Sequence, residues 1–423
     1  MPAKPPRLPG RPADRAANGV SPRVVGWAAF WIATALVAAM ILLRDYLHSR
    51  AGLSIAGNAL WGRDFVNVYT SGTLVLEGRL DILYDVDAYR AFQRDLFDGG
   101  LRHHNYSYPP VTLLYTWLFA LLPYPVAWLG WLAGTGTLFV QAARPYLRQA
   151  GLAGWVAILA PASIMNLWAG HYGFLIGALW LFAWRLLPAR PATAGILIGL
   201  MLVKPHLAAL APIVLLWRRE WRAFAAAAAT VLALIGVSAA LFGFQLWVTY
   251  VGETALLQAA MVDDVGAFFM RMMPTLTPAL ALLGVPTWAA AILQTLTAIA
   301  ALLLLLRHLP RDSEEAGLAT ATATFLVLPY AFCYDMTVAG LAGLILFRRA
   351  LADRPRLYAL AAGMAAFAPM AVMYLNPISL PVGPLLFAFQ LLALLGLIRT
   401  RRADPAAGLQ RPSDRSSATP QPG

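Results

Sequence analysis

Residues Val24–Leu43 read VVGWAAFWIATALVAAMILL, an unbroken apolar run with no charged side chain. About 20 such residues are what a helix needs to cross the hydrocarbon of a bilayer. Charge returns at once with Arg44 and Asp45. Comparable apolar segments follow near 111–143, 152–168, 172–187, 191–203, 205–217, 223–243, 287–306, 316–330, 332–347, 357–374 and 380–398. Over the whole chain 60% of residues are hydrophobic and 12% charged, whereas a soluble domain carries about 25% charge. The expected fold is all-α: a polytopic transmembrane helical bundle of about 12–13 spans.

The formal charge of +12 does not imply nucleic acid. The basic side chains fall in short loops: Arg144 and Arg148, Arg185 and Arg190, Arg218, Arg219 and Arg222, Arg307 and Arg311, Arg348 to Arg356, and Arg399 to Arg402. That distribution is the positive-inside pattern, so these loops are expected to face the cytoplasm. The single cysteine, Cys333, excludes an intrachain disulfide and a multi-cysteine metal site. Residues 1–22 and 403–423 read as disordered cytoplasmic tails around a membrane domain at 23–402. Within that domain, 44–108 forms a first extracytoplasmic loop and 244–286 a second. The segment 111–143, interrupted at Pro123-Tyr124-Pro125, is expected to be one span plus a helix on the cytoplasmic surface.

Acidic residues point to where chemistry can reside. Of 20 carboxylates, the loop 44–108 holds eight: Asp45, Asp64, Glu77, Asp81, Asp85, Asp87, Asp95 and Asp98. Elsewhere on the expected outward side stand Glu253, Asp263, Asp264 and Asp335. Between Leu80 and Phe97 apolar residues recur at helical spacing, the pattern of an amphipathic helix lying in the interface with its apolar face among headgroups. That helix serves equally as a cleft wall or as a packing lid. Asp85 and Asp87 suit its N-cap and first turn.

Five constellations could carry chemistry, each with a plainer reading beside it. In "WGRDFVNVYTSG" (61–72) Asp64 stands at a bundle mouth, where a carboxylate is costly unless paired or functional. The alternative is a helix N-cap or a cross-loop ion pair. "HHNYSYPPVTLLY" (103–115) offers His and Tyr side chains to a sugar or phosphate, or anchors a helix entry at Tyr108-Pro109-Pro110. In "LVKPHLAAL" (202–210) Pro205 breaks the helix beside Lys204 and His206. Lys204 can meet phosphate oxygens as a point charge or snorkel to headgroups. "NLWAGHYGFL" (166–175) and "LPYAFCYDMTVAG" (328–340) place His171, Tyr334 and Asp335 at turns between apolar spans, for substrate contact or for internal hydrogen bonding. No metal-ligand spacing is convincing and no cofactor is expected, with dependence on a divalent metal left open.

In this order the segments resemble glycosyltransferase family 87. The matching elements are "GRDFVNVYTSGTLVLEGRLDILYDVDAYRAFQ", "YSYPPVTLLYTWLFALLPYPVAWLGW", "AGHYGFL", "LVKPHLAALAPIVLLWRREWRAF" and "LPYAFCYDMT". The resemblance implies a GT-C bundle whose first outer loop holds the catalytic aspartate, at the position of Asp64. It implies a polyprenyl-phosphate-linked hexose donor, mannose in this family, an inverting transfer to a hydroxyl of a glycolipid or glycan, and substrate contacts from Arg63, Tyr69, Tyr108, His171, Lys204, His206, Tyr334 and Asp335. Ala169-Gly170-His171 stands where members often carry Asn-Gly-Gln, a departure that bears on sugar or acceptor preference. The competing class is a non-enzymatic flippase or transporter of lipid-linked sugar.

Overall fold

The computed structural model describes residues 21–47, 49, 54–55, 59–97, 101, 104–254 and 268–398. Both expected tails, save Ser21 and Pro22, lie outside the described residues, as do Asp98, His103, Asp263, Asp264 and Arg399 to Arg402. The described chain is a helical membrane bundle, with one two-residue strand pair, Ser54–Ile55 against Ala59–Leu60. The helices that matter to the site are α1 (Pro22–Leu47), α2 (Phe65–Glu77), α3 (Val86–Leu96), α4 (Leu113–Ala120), α5 (Tyr124–Gln149), α6 (Pro161–Ala169), α7 (Gly173–Leu186), α8 (Pro191–Leu200), α9 (Leu210–Trp217), α10 (Trp221–Phe242), α11 (Thr287–Arg307), α12 (Ser313–Val327), α13 (Thr337–Asp353), α14 (Arg356–Leu375) and α15 (Gly383–Leu394).

Five helices among the described residues are long and apolar enough to cross a membrane: Arg23–Leu47, Tyr124–Gln149, Trp221–Phe242, Thr287–Arg307 and Arg356–Ile378. This is a multi-pass membrane protein. On α10 and α11 the large apolar side chains point outward, with Leu232, Leu241, Leu296 and Leu303 all exposed. Hydrocarbon, not water, is the solvent such faces fit.

The remaining apolar helices are short because they come in broken pairs. Gly170 ends α6 in a left-handed conformation (φ 66°), which a glycine adopts without Cβ strain. Short 3₁₀ turns surround Lys204 between α8 and α9, with Pro205 removing a backbone donor there. Leu328 to Met336 separates α12 from α13. The carbonyls freed at the end of α12 do not go unpaired: the Gln294 amide of α11 donates to Leu326 O (3.0 Å) and Val327 O (3.1 Å). In an apolar bundle that satisfaction is required.

The two ends of the bundle differ in charge. At one end Arg185 pairs with Glu314 (2.7 Å), to which the Gln149 amide also donates (2.8 Å). There the Arg218 guanidinium donates to Pro310 O and Arg311 O, and Arg349 lies 3.6 Å from Glu315. At the other end of α7, roughly 20 Å away by helix rise, the Thr337 hydroxyl donates to Gly173 O and the broken segments meet. The basic loops therefore collect on one side and the breaks on the other.

Two expectations need correction. The short helix in 111–143 is not on the side of the basic loops. α4 packs on α2, and its C-terminal flank sits beside the loop 44–108: Tyr69 donates to Leu122 O and Tyr124 to Trp61 O. The segment still makes a single crossing, through α5. Nor does α3 lay its apolar face among headgroups. Tyr89, Phe92 and Gln93 are buried because Asn67 and Thr70 of α2 supply polar partners for that face. The Tyr89 hydroxyl (3.0 Å) and the Gln93 amide (3.3 Å) both donate to Asn67 Oδ1. A polar group buried with its partner loses little by leaving water. The N-terminus of α3 is as expected, with Asp85 Oδ1 accepting from the amides of Asp87 and Ala88.

Candidate active site

Asp64 stands at the N-cap position of α2, but its side chain makes no capping hydrogen bond. Its backbone amide donates to Ala169 O (2.9 Å), which fastens the turn before α2 to the end of α6. The fit is glycine against glycine. Gly62 has φ 85°, and a Cβ there would lie 2.7 Å from the Trp128 ring; a Cβ on Gly170 would lie 2.3 Å from Gly62 O. Backbone touches backbone, and the Asp64 carboxylate is left among the ends of the broken helices, within reach of the Lys204 and Asp335 charges.

Around that carboxylate the three breaks deliver polar side chains: His171 from one, Lys204 from the second, and Tyr334 and Asp335 from the third. Lys204 Nζ donates to Asp335 Oδ1 (2.5 Å) and lies 3.4 Å from His171 Nδ1. Asp335 Oδ2 also accepts from the Phe332 amide (3.3 Å). The Tyr334 ring stacks on His171 with centroids 4.2 Å apart and lies under the Lys204 ammonium at 5.2 Å. Tyr334 is also placed to favour the ionised Asp64 carboxylate. His104 Nδ1 stands 3.8 Å from Asp64 Oδ1.

The orientation of His171 follows from its neighbours. The Tyr172 amide donates to His171 Nδ1 (2.8 Å), so in the neutral ring the proton sits on Nε2. That N–H donates to the Tyr108 hydroxyl oxygen (2.7 Å), which turns the Tyr108 proton toward another acceptor. Burial and the nearby Lys204 charge hold His171 well below its usual pKa, so it is a neutral relay.

Asp64 keeps 24% of its side chain accessible. Its carboxyl is pushed up to about 6 by burial, against the pull of the Lys204 and Arg63 charges and with a push from Asp335. A carboxylate of that strength near neutral pH is suited to accept a proton. Among the described residues no three His, Cys, Asp or Glu side chains converge as a metal set.

Of the nine expected site residues, the structure brings together Asp64, Tyr108, His171, Lys204, Tyr334 and Asp335. His206 lies at the edge, its ring 5.9 Å from Tyr330. Two residues turn elsewhere. Tyr69 donates to Leu122 O and packs on Phe97 and Tyr124. Arg63 reaches Asp45 of α1 and lies over the Trp168 ring at 4.1 Å. The sequence reading missed Asp45, Trp168 and the Asn67–Tyr89–Gln93 group. A signal existed for Asn67, which lies one helical turn from Asp64; Asp45 and Trp168 are 123 positions apart and share no local pattern.

Comparison with curated proteins and with solved structures found no match. The model of glycosyltransferase family 87 matches residues 106–331, a stretch that contains Tyr108, His171, Lys204 and His206 and ends before Tyr334 and Asp335. That is more than half of the chain, and the protein belongs to glycosyltransferase family 87.

Proposed function

We propose that this membrane glycosyltransferase moves a hexose, mannose by the family resemblance, from a polyprenyl-phosphate donor to a hydroxyl of a glycolipid or glycan. The transfer inverts the anomeric centre and takes place on the extracytoplasmic side. The observation that carries the reading is the pairing in one recess of a carboxylate raised to about 6 with a buried lysine. The acceptor oxygen loses its proton as it attacks, and Asp64 is the base. The departing polyprenyl phosphate is already an anion and needs a cation rather than an acid. An ammonium has three donors; Asp335 takes one from Lys204, His171 Nδ1 lies near a second, and the third is available to a phosphate oxygen. The outward orientation is supported by the basic residues gathered at the opposite end.

The competing class, a carrier of lipid-linked sugar, accounts for broken helices but not for membership in a glycosyltransferase family. The test is incubation of the purified protein with radiolabelled polyprenyl-phosphate hexoses and membrane extract, followed by identification of the labelled product. Transfer by the wild type and its loss in Asp64→Asn are expected. Equal labelling by the two proteins would remove Asp64 from the role of base.

A further inference from the structure

A second recess lies beside the reaction centre. Leu80, Asp81, Tyr84 and Val86 form one wall, and Phe242, Leu246 and Glu253 the other, around a cavity of about 720 Å³. That volume is within the range of ligand sites, about 300–1,000 Å³. The two recesses share a wall. The ring of Tyr84 lines the cavity, and its hydroxyl donates to Tyr108 O (2.7 Å). The Tyr108 side chain in turn contacts His171.

We infer that this cavity is an acceptor subsite for the uncharged, hydroxyl-rich part of a glycan. The inference rests on the glycosyl-transfer reading above. Charge decides which substrate goes where. Among the described residues every ionisable side chain of the lining other than Tyr84 is a carboxylate (Asp81, Asp85 and Glu253), and no described lysine or arginine lines it. A phosphate is repelled there and drawn to Lys204. Sugar hydroxyls are donors, and an ionised carboxylate accepts only, so the same wall that excludes the donor's anion suits the acceptor.

Asp85 already caps α3, which leaves Asp81 and Glu253 for the ligand. Glu253 is presented by a π-helical turn, Tyr250–Thr254, a rare geometry frequent at functional sites. The floor supplies apolar surface for the faces of sugar rings, from Tyr84 and Phe242. Phe242 ends the membrane helix α10, so the cavity opens where a bilayer's hydrocarbon gives way to water, as a membrane-anchored glycan requires.

The full-length protein in nanodiscs is to be probed by saturation-transfer NMR with methyl mannoside and maltose, and with glucose 1-phosphate as the anionic control. The two neutral sugars should receive saturation through the cavity, whereas any saturation of glucose 1-phosphate, which Lys204 can hold, should be the same in the wild type and in Leu246→Trp. Leu246→Trp, which fills the cavity, should abolish the signal, and Asp81→Asn with Glu253→Gln should weaken it at least fivefold. An unchanged thermal melt identifies variants that fold. Absence of any neutral-sugar signal in the wild type, a neutral-sugar signal that survives Leu246→Trp, or a glucose 1-phosphate signal that Leu246→Trp removes overturns the inference. So does calorimetric binding of calcium or manganese lost in the double variant without any sugar signal. Turnover of polyprenyl-phosphate hexose is measured separately. Its absence in a wild type that still binds neutral sugars counts against the proposed reaction, not against the cavity.

Discussion

Arg63 and Asp45 form a buried ion pair, with the guanidinium Nη2 2.9 Å from both carboxylate oxygens, and Trp168 Nε1 donates to the same Asp45 at 2.8 Å. Three distant segments, the end of α1, the turn before α2 and the end of α6, are thereby locked around the residue next to Asp64. Arg63 holds φ 38°, a conformation that non-glycine residues seldom adopt. The ion pair and the stacking on Trp168 keep it there.

Removing one partner of this pair leaves an uncompensated buried charge, at a cost of about 3–5 kcal/mol. Asp45→Ala and Arg63→Met should each lower the melting temperature of the detergent-purified protein strongly. The double variant should melt above the worse single one. Singles that melt with the wild type would show that the pair does not lock the turn.

Asp64→Asn should lower transfer by roughly 10²–10⁴-fold, the usual contribution of a general base, without loss of folded protein. Stability should move the other way. Between its usual 3.8 and about 6, the folded state holds the Asp64 proton more tightly than the unfolded chain does. Stability is therefore lost as pH rises through that window. The amide removes this penalty, so at pH 8 Asp64→Asn should melt at or above the wild type. A clearly lower melting temperature would mean that the carboxylate supports the fold.

The same shift sets the rate profile. The base works when deprotonated, so wild-type turnover should climb with pH through about 6 and level off above it. Lys204 pulls the Asp64 pKa down, and Lys204→Met should move the acid limb to higher pH. With the phosphate's donor gone, turnover should also fall on the order of 10²–10³-fold. An acid limb that stays in place when Lys204 is removed would uncouple the two groups.

Gly170→Ala places a Cβ 2.3 Å from Gly62 O at a left-handed φ of 66°. The turn carrying Asp64 must then shift, and a displacement near 1 Å costs on the order of 100-fold in rate. Tyr69→Phe is the counterpart. Its hydroxyl serves Leu122 O, away from the recess, so transfer should change less than twofold, roughly the scatter expected of a surface substitution. Activity retained by the alanine variant, or lost by the phenylalanine variant, would redraw the site.

Much was written in the chain itself. Composition and run length specify a membrane bundle, because no other solvent suits so many uncharged twenty-residue stretches. Gly170, Pro205 and Pro329 mark the breaks, since local backbone chemistry ends a helix wherever the chain folds. Asp64, His171, Lys204 and Asp335 stood out for the same local reason, polar groups set at the edges of apolar runs. Their meeting did not. Lys204 and Asp335 are 131 positions apart, and the contact depends on how α9 and α12 pack, which no window of sequence contains. Arg63 faces Asp45, and α3 turns its apolar side inward, because long-range partners compete with water and lipid for each surface. Periodicity reveals that a face must be covered; packing energies summed over the whole bundle choose what covers it.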